Sequence, residues 1–262
     1  MDSSGQLSVF EAARRYWATT AERLGRFAAT RALFLALWEF LLDSTPSRLR
    51  QRYGDADYDW DHRVNTTSAA VAWRDRLLGV FHSPYQPTDP ALFHDMLERV
   101  RELSRSRDTG SAGESMPHQP LDYRDLTFLD LGSGKGRTLL MASDFPFRRI
   151  VGVEILPTLH DIAQQNLRRY KSDSQECFAL EAVCADATTF PLPEGILLIY
   201  LFNPFPESGL RQFVANLEAS QRAKARPLYV LYYNPLLEHV FAESRMFKKI
   251  SSTHQYSVWY SR

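Results

Sequence analysis

The second half of the chain alternates between strand-like and helix-like segments, and this alternation restricts the fold more than any other feature. The apolar runs predict seven strands, at residues 126–131, 149–154, 177–184, 196–202, 227–233, 246–251 and 255–260. Helical patterns lie between them at residues 136–144, 157–170, 207–220 and 236–243. The order predicts an α/β fold, a Rossmann-like, doubly wound and mostly parallel seven-stranded sheet covered on both faces. Since only Ser251-Ser252-Thr253 separates the last two strands, the last strand is predicted to be antiparallel.

The first part of the chain has a different pattern. Residues 1–88 are predicted to be an N-terminal helical and aromatic-rich extension or lid, with a helix over residues 8–42. Residues 89–262 are predicted to be the main domain. It begins with a helix that has Asp89 as its N-cap and a proline in its first turn. The polar, glycine- and proline-bearing residues 104–120 are predicted to be a flexible loop in this domain.

Charge and cysteine usage narrow the class of protein. Lys+Arg and Asp+Glu both number 31, so the chain has no overall basic field and nucleic acid is disfavoured as a partner. The apolar run over residues 32–38 is much shorter than the roughly 20 residues that a membrane span needs. The N-terminus lacks the charged region of a signal peptide, and there are only two cysteines. These features predict a cytoplasmic protein, and they make no prediction of the oligomeric state.

A glycine-rich turn follows the first predicted strand, in the stretch "TFLDLGSGKGR". Ligands of doubly wound sheets bind at the carboxyl ends of the strands, where glycine lets a ligand approach the backbone closely. The third glycine, Gly136, comes one position earlier than in the dinucleotide fingerprint G-x-G-x-x-G, which disfavours a nicotinamide cofactor. The spacing of a nucleotide-phosphate loop is also absent, although Lys135 and Arg137 flank Gly136. The pattern is instead an acid, Asp130, followed by three alternating glycines.

With this turn the sequence resembles the class I S-adenosylmethionine-dependent methyltransferases. The resemblance implies S-adenosylmethionine as the cofactor. It also implies cofactor-binding roles for the acid and for the turn, that is, for Asp130, Gly132, Ser133, Gly134 and Gly136.

Two further acids at strand ends extend this resemblance. In "IVGVE" the strand ends at Glu154, which the resemblance assigns to the two ribose hydroxyls of the cofactor. In "EAVCADATTF" it assigns Asp186 to the adenine amino group. Taken alone, Glu154 is typical of a solvated acid and Asp186 of a turn or helix cap beside Thr188.

The stretches "FLDLGSGKGR", "GVE" and "NPF" are most similar to the non-SET histone lysine methyltransferases and their bacterial relatives. In that group an N-terminal segment with a tyrosine and a threonine closes over the cofactor. The resemblance gives these roles to Tyr85 and Thr88 of "SPYQPTDP". A histone substrate does not follow from it.

The fourth strand ends in Asn203-Pro204-Phe205, which resembles a shortened form of the Asn-Pro-Pro-Tyr/Phe motif of enzymes that methylate planar amines. The resemblance makes Asn203 and Phe205 the candidate catalytic residues, with the amide holding amine hydrogens and the ring stacking on the acceptor. The other interpretation is a strand-terminating Asn-Pro turn, and the next strand also ends in such a pair, Asn234-Pro235.

The sequence therefore predicts an S-adenosylmethionine-dependent methyltransferase acting on an amine of a small molecule, peptide or protein side chain. The alternative is a non-catalytic S-adenosylmethionine-binding module that acts through a partner. None of the seven histidines has metal-ligand spacing, so no metal site is predicted.

Overall fold

A computed structural model describes residues 56–66, 87–105 and 121–261, and residues 14, 17, 18, 21, 22, 25–31, 33 and 34 of the N-terminal part. The chain forms two compact units. One consists of Met1–Tyr58 and Thr67–Gln86, the other of Asp59–Thr66 and Pro87–Arg262. The second unit thus includes a short segment, Asp59–Thr66, from the first part of the chain.

In the first unit, Gly25 interrupts the helical residues. Its φ of 86° is left-handed, and its N–H donates to the Ala21 carbonyl at 3.0 Å, as at a helix C-terminus. Trp17 Nε1 then donates to Thr30 Oγ1 at 3.1 Å, across 13 positions. A straight helix would separate two such residues by about 20 Å along its axis. The prediction of one helix over residues 8–42 is therefore wrong at Gly25.

Strands from the described part of the second unit form one seven-stranded sheet in the order β3-β2-β1-β4-β5-β7-β6. They are β1 Leu126–Leu131, β2 Arg149–Glu154, β3 Leu180–Cys184, β4 Ile196–Phe202, β5 Leu228–Tyr233, β6 Lys248–Ser252 and β7 Tyr256–Ser261. The first five strands pair in parallel, and β7 lies antiparallel to both β5 and β6. The predicted fold is confirmed, including the antiparallel last strand.

Helices cover both faces of this sheet. Those with both ends described are α1 Ala56–His62, α2 Pro90–Arg105, α3 Arg137–Ala142, α4 Pro157–Arg169, α5 Glu207–Ala223 and α6 His239–Glu243. The side chains of α5 and α6 pack with β4 and β5 in one buried apolar cluster. On the other face, Phe93 of α2 packs edge-on against Phe128 and Tyr200. The predicted N-cap of α2 is confirmed, since Asp89 Oδ1 accepts from the Leu92 N–H at 2.9 Å.

Two elements begin three residues later than the sequence predicts. Strand β3 begins at Leu180 and not at residue 177, because the Cys177 N–H donates to the Ser143 carbonyl at 2.9 Å and does not join the sheet. Helix α6 begins at His239 and not at residue 236, because Asn234 has a left-handed φ of 48° and the chain turns first. Parallel strands place their carboxyl ends at one edge of the sheet, so the ends of β1, β2, β4 and β5 lie together there.

Candidate active site

The glycine turn joins β1 to α3 at this edge. Gly132, Gly134 and Gly136 all have positive φ, at 79°, 54° and 82°, which side-chain-bearing residues rarely adopt. The N–H groups of Gly132 and Ser133 both donate to the Val153 carbonyl, at 2.8 and 3.1 Å, and so tie the turn to the end of β2. A Cβ at Gly136 would lie 3.2 Å from the Ala163 Cβ, so α4 packs directly against the turn. The turn therefore needs glycine for its conformation and for close helix packing.

Glu154 ends β2 and points its carboxylate at the turn. Oε2 accepts from the Gly134 N–H at 2.8 Å, and Oε1 accepts from the Leu156 N–H at 2.9 Å. The side chain is only 5% exposed. Burial raises the pKa of Glu154, while the backbone N–H groups act to lower it. The carboxylate thus holds the loops after β1 and β2 together.

Asp130 lies one strand away and is almost completely buried. Its Oδ2 accepts a hydrogen bond from the Thr138 hydroxyl of α3. Burial raises the pKa of Asp130 to about 7; the Thr138 bond opposes this shift, and the charge of Glu154 adds to it. Asp130 therefore changes charge near neutral pH in the folded chain.

Thr88 reaches the same edge from the N-terminal side of α2. Its Oγ1 lies 2.8 Å from the Tyr200 hydroxyl, and both side chains are buried. Burial and the nearby charge of Asp130 raise the pKa of Tyr200. Tyr85, the other residue predicted to close over the cofactor, lies outside the described residues.

Asp186 follows β3 in an exposed turn. Its Oδ1 accepts from both the N–H and the hydroxyl of Thr188, at 2.8 and 2.7 Å. This carboxylate therefore caps its own turn, as the simpler sequence interpretation predicts, and its role toward adenine stays a prediction.

Asn203 directly follows β4 and has a left-handed φ of 44°. Its Nδ2 donates to the Asn234 carbonyl at 2.6 Å, and its Oδ1 accepts from the Tyr232 hydroxyl at 2.9 Å. Asn234 directly follows the neighbouring strand β5, also with a positive φ. The side chain of Asn203 therefore joins the two Asn-Pro strand ends and has a fixed orientation.

Two aromatic groups lie beside Asn203. Phe205 packs on Phe213 of α5 with a ring-centroid separation of 5.7 Å. On the sheet face that carries Asp130 and Tyr200, Phe202 and Tyr233 form a closer pair at 4.4 Å. Both rings of that pair are half-buried, so they present a partly open aromatic surface at the strand ends.

Sequence reasoning missed a polar cluster on the other side of the turn. Lys135 Nζ donates to Asn65 Oδ1 at 2.9 Å, and Asn166 Nδ2 donates to the Lys135 carbonyl at 2.9 Å. Burial lowers the pKa of Lys135, while the charge of Asp59 opposes this shift. Asn65 lies 70 positions before Lys135, in an irregular stretch, so no spacing signals this contact.

The residues that the structure describes lack two features. Within them, no three His, Cys, Asp or Glu side chains come close enough together to hold a metal ion. No helix in that part of the chain has the length and apolar character for crossing a membrane.

Known structures similar to this chain include several methyltransferases. An RNA methyltransferase from Salinibacter ruber, in complex with S-adenosyl-L-homocysteine, is 19% identical over 67% of this chain and 92% of its own, with a TM-score of 0.40. A magnesium protoporphyrin IX methyltransferase from Synechocystis PCC 6803, with bound SAM, is 12% identical over 82% and 95%, with a TM-score of 0.41. Likenesses this weak carry no conclusion about the acceptor. No curated protein matches the sequence significantly.

Residues 129–202 match a family model described as a methyltransferase domain. The match begins within β1 and ends with the last residue of β4, so it contains the glycine turn, Glu154 and Asp186. Residues 129–202 thus belong to a methyltransferase domain with a Rossmann-like sheet, and the chain is an S-adenosylmethionine-dependent methyltransferase.

Proposed function

We propose that this methyltransferase transfers the methyl group of S-adenosylmethionine to an amine of a peptide, a protein side chain or a small molecule. The amine would bind at the ends of β4 and β5, beside Asn203. A neutral overall charge supports an acceptor of this kind over a nucleic acid. The observation that carries the proposal is the fixed orientation of the Asn203 amide at this edge.

The cofactor would bind over the glycine turn. The two hydroxyls of its ribose need acceptor oxygens, and the Glu154 carboxylate lies at the end of β2. Each carboxylate oxygen accepts one backbone N–H, from Gly134 or Leu156, and can accept a second hydrogen bond. Because Glu154 is nearly buried, ribose binding would require its side chain to rotate toward solvent, or the glycine turn to move away from it. Asp130, Gly132, Ser133, Gly134, Gly136 and Thr88 would line the same site, with Asp186 at the adenine end and Tyr85 as a further cofactor contact.

The Ser133 hydroxyl supports this fit. It is buried on the turn and has no hydrogen-bond partner among the described residues. A buried hydroxyl without a partner is costly, and a ligand that supplies one would relieve that cost. The residues of the turn thus fit S-adenosylmethionine, which supplies an electrophilic methyl group on a sulfonium.

Asn203 would orient the acceptor. Its side-chain oxygen accepts one hydrogen bond from Tyr232 and has room for a second, from an amine N–H. Non-glycine residues with positive φ cluster at functional sites, and Asn203 and Asn234 are two of the three in the described chain. The Phe202–Tyr233 pair would wall the acceptor on the Asp130 face. Phe205, proposed to stack on the acceptor, would do so from the α5 side.

The finer family assignment is also a proposal. We infer that the domain, with the predicted boundaries 89–262, is a relative of the non-SET lysine methyltransferase type. The buried Thr88–Tyr200 contact supports it, because Thr88 lies two residues before α2 and contacts a side chain of β4 near the carboxyl edge of the sheet.

The test replaces Asn203 with glycine. Glycine keeps the left-handed backbone conformation without strain and removes only the amide, whereas alanine would also add backbone strain. We expect S-adenosylhomocysteine to bind with unchanged affinity by calorimetry. Methyl transfer to amine-containing peptide and metabolite pools should fall about 100-fold, because a misplaced nucleophile loses its alignment with the donor.

Asn203→Asp is the matched control for side-chain size, because aspartate keeps the shape and an acceptor oxygen but lacks the amide NH₂ group. An Asn203→Gly enzyme that transfers methyl groups at the wild-type rate would reduce Asn203-Pro204-Phe205 to a strand stop. Transfer by the wild-type protein to nucleic acid alone, and to no amine pool, would overturn the acceptor class.

A further inference from the structure

The segment Asp59–Thr66 belongs to the methyltransferase unit although 20 intervening residues, Thr67–Gln86, belong to the other unit. It lies against the glycine turn and α4. His62 stacks on Tyr170, directly after α4, at a ring-centroid distance of 5.4 Å and an interplanar angle of 11°. The contacts of Asn65 are more specific, since they reach the turn itself.

The segment is closed on itself by Asp59. One carboxylate oxygen accepts from the Thr66 N–H at 2.7 Å, and the other accepts from the Thr66 hydroxyl. The Val64 N–H donates to the Asp59 carbonyl at 3.0 Å. These bonds fix the backbone on both sides of Asn65, so Asn65 projects from a closed loop and not from a loose chain.

Asn166 of α4 connects this loop to the turn and is almost completely buried. Its Oδ1 accepts from the Asn65 N–H at 2.8 Å. Its Nδ2 donates to two carbonyls, that of Asn65 at 3.0 Å and that of Lys135 at 2.9 Å. An amide group has two N–H donors, and both are used here, one on each partner.

Lys135 is therefore held from two directions. Asn166 holds its carbonyl, and the Asn65 side chain accepts from its ammonium. Lys135 lies between Gly134 and Gly136, both of which have positive φ. A turn with alternating glycines has many accessible conformations, and fixing its central residue removes much of that freedom.

We propose that Asn65 and Asn166 are positioning residues for the cofactor-binding turn, which they act on through Lys135. This inference rests on the proposed assignment of residues 132–136 as the S-adenosylmethionine site. A preorganised turn does not have to be ordered when the cofactor binds, so the clamp raises cofactor affinity without touching the cofactor. By linkage, cofactor binding must strengthen the docking of Asp59–Thr66 by the same factor.

The first test measures S-adenosylhomocysteine binding by calorimetry with the full chain. Asn65→Ala removes only the bond to the Lys135 ammonium, because the Asn166 bonds use the Asn65 backbone. We expect about five- to tenfold weaker binding for Asn65→Ala and for Lys135→Met, and little further loss in the double variant. Asn65→Asp keeps an acceptor for the ammonium and should restore affinity to within about twofold of wild type.

The matched control is Asn216→Ala. Asn216 donates to the Phe190 carbonyl at 3.2 Å, on the opposite face of the sheet, and its loss should leave binding within about twofold of wild type. The second test is hydrogen exchange. S-adenosylhomocysteine should slow exchange in residues 59–66 of the wild type, and this protection should be lost in Asn65→Ala.

The results of these two tests distinguish a failure of the clamp from a failure of the proposed cofactor site. Wild-type binding together with unchanged affinity in Asn65→Ala and Lys135→Met would overturn the clamp and leave the site standing. An equal loss in Asn65→Ala and Asn65→Asp would also overturn it, because the acceptor would then not matter. If the ligand protects residues 59–66 but not the turn, both the site and the clamp are wrong.

Discussion

The two halves of the carboxyl edge are built in different ways. At the ends of β1 and β2, acids are buried and satisfied by neighbouring backbone or hydroxyl groups, as Glu154 is by Gly134 and Leu156. At the ends of β4 and β5, a side-chain amide, Asn203, joins two strand ends and stays partly exposed. In the first half, the acidic side chains are hydrogen-bonded within the protein and are buried. The second presents polar and aromatic side chains, which suits the proposed acceptor site.

The largest expected effect is the pH dependence of stability that ionisation of the buried Asp130 causes. The folded-state pKa of Asp130, about 7, exceeds its usual value of 3.8. Between these values the unfolded chain binds fewer protons than the folded chain, so this group's contribution makes stability fall as pH rises from about 4 to 7, and then level off. The loss is up to about 4 kcal/mol. Asp130→Asn should lack it, which urea denaturation of both proteins from pH 4 to 8 will show. Parallel pH curves would contradict the buried-acid description.

Removing the proposed ribose contact of Glu154 should give the next largest effect. Glu154→Gln keeps one acceptor oxygen but loses the charge. This single oxygen cannot accept from the Gly134 and Leu156 N–H groups and also from the two ribose hydroxyls. We expect S-adenosylhomocysteine affinity to fall about ten- to a hundredfold, equivalent to about 1.5–3 kcal/mol. Calorimetry measures this. Glu181→Gln, on the exposed edge strand β3, is the control and should bind normally. Normal binding by Glu154→Gln would limit Glu154 to joining the two loops.

At the ends of β4 and β5, we expect a variant to disturb the orientation of the Asn203 side chain without weakening cofactor binding. Tyr232→Phe removes the hydroxyl that donates to Asn203 and accepts from the Leu237 N–H. Stability should fall by about 1 kcal/mol, and methyl transfer should slow while S-adenosylhomocysteine affinity is unchanged. Urea denaturation, transfer assays and calorimetry on one preparation separate these effects. Weaker cofactor binding in this variant would show that the two halves are not independent.

The smallest effect should come from Asp186. Since its carboxylate is exposed and already caps Thr188, Asp186→Asn should weaken cofactor binding by less than about threefold. A tenfold loss measured by calorimetry would instead mean that the carboxylate leaves its turn to contact adenine.

Local patterns predicted most of the framework. The glycine spacing predicted the turn at residues 132–136, and its three positive φ angles explain why glycine is favoured there. The Asp89-Pro90 pair predicted the start of α2 correctly. These features depend on neighbouring residues only, so the sequence is enough to find them. Gly25 is likewise a glycine of the kind that ends a helix in a left-handed conformation. The apolar periodicity continues on both sides of it, so the sequence predicted one continuous helix there.

Other features depend on residues that are far apart in the sequence. The chain order predicts the neighbours of each strand, but nothing in it places Asn65 against Lys135 or the Asn203 amide on the Asn234 carbonyl, 31 positions away. The raised pKa of Asp130 likewise arises from burial under α3, beside a carboxylate of another strand. By itself, the sequence determined the fold and the glycine turn, because short-range backbone preferences and apolar periodicity specify them. The methyltransferase chemistry came from the resemblance of that turn to a known family. Only the tertiary structure decided which polar groups meet, because side-chain pairing depends on how the sheet and its helices pack.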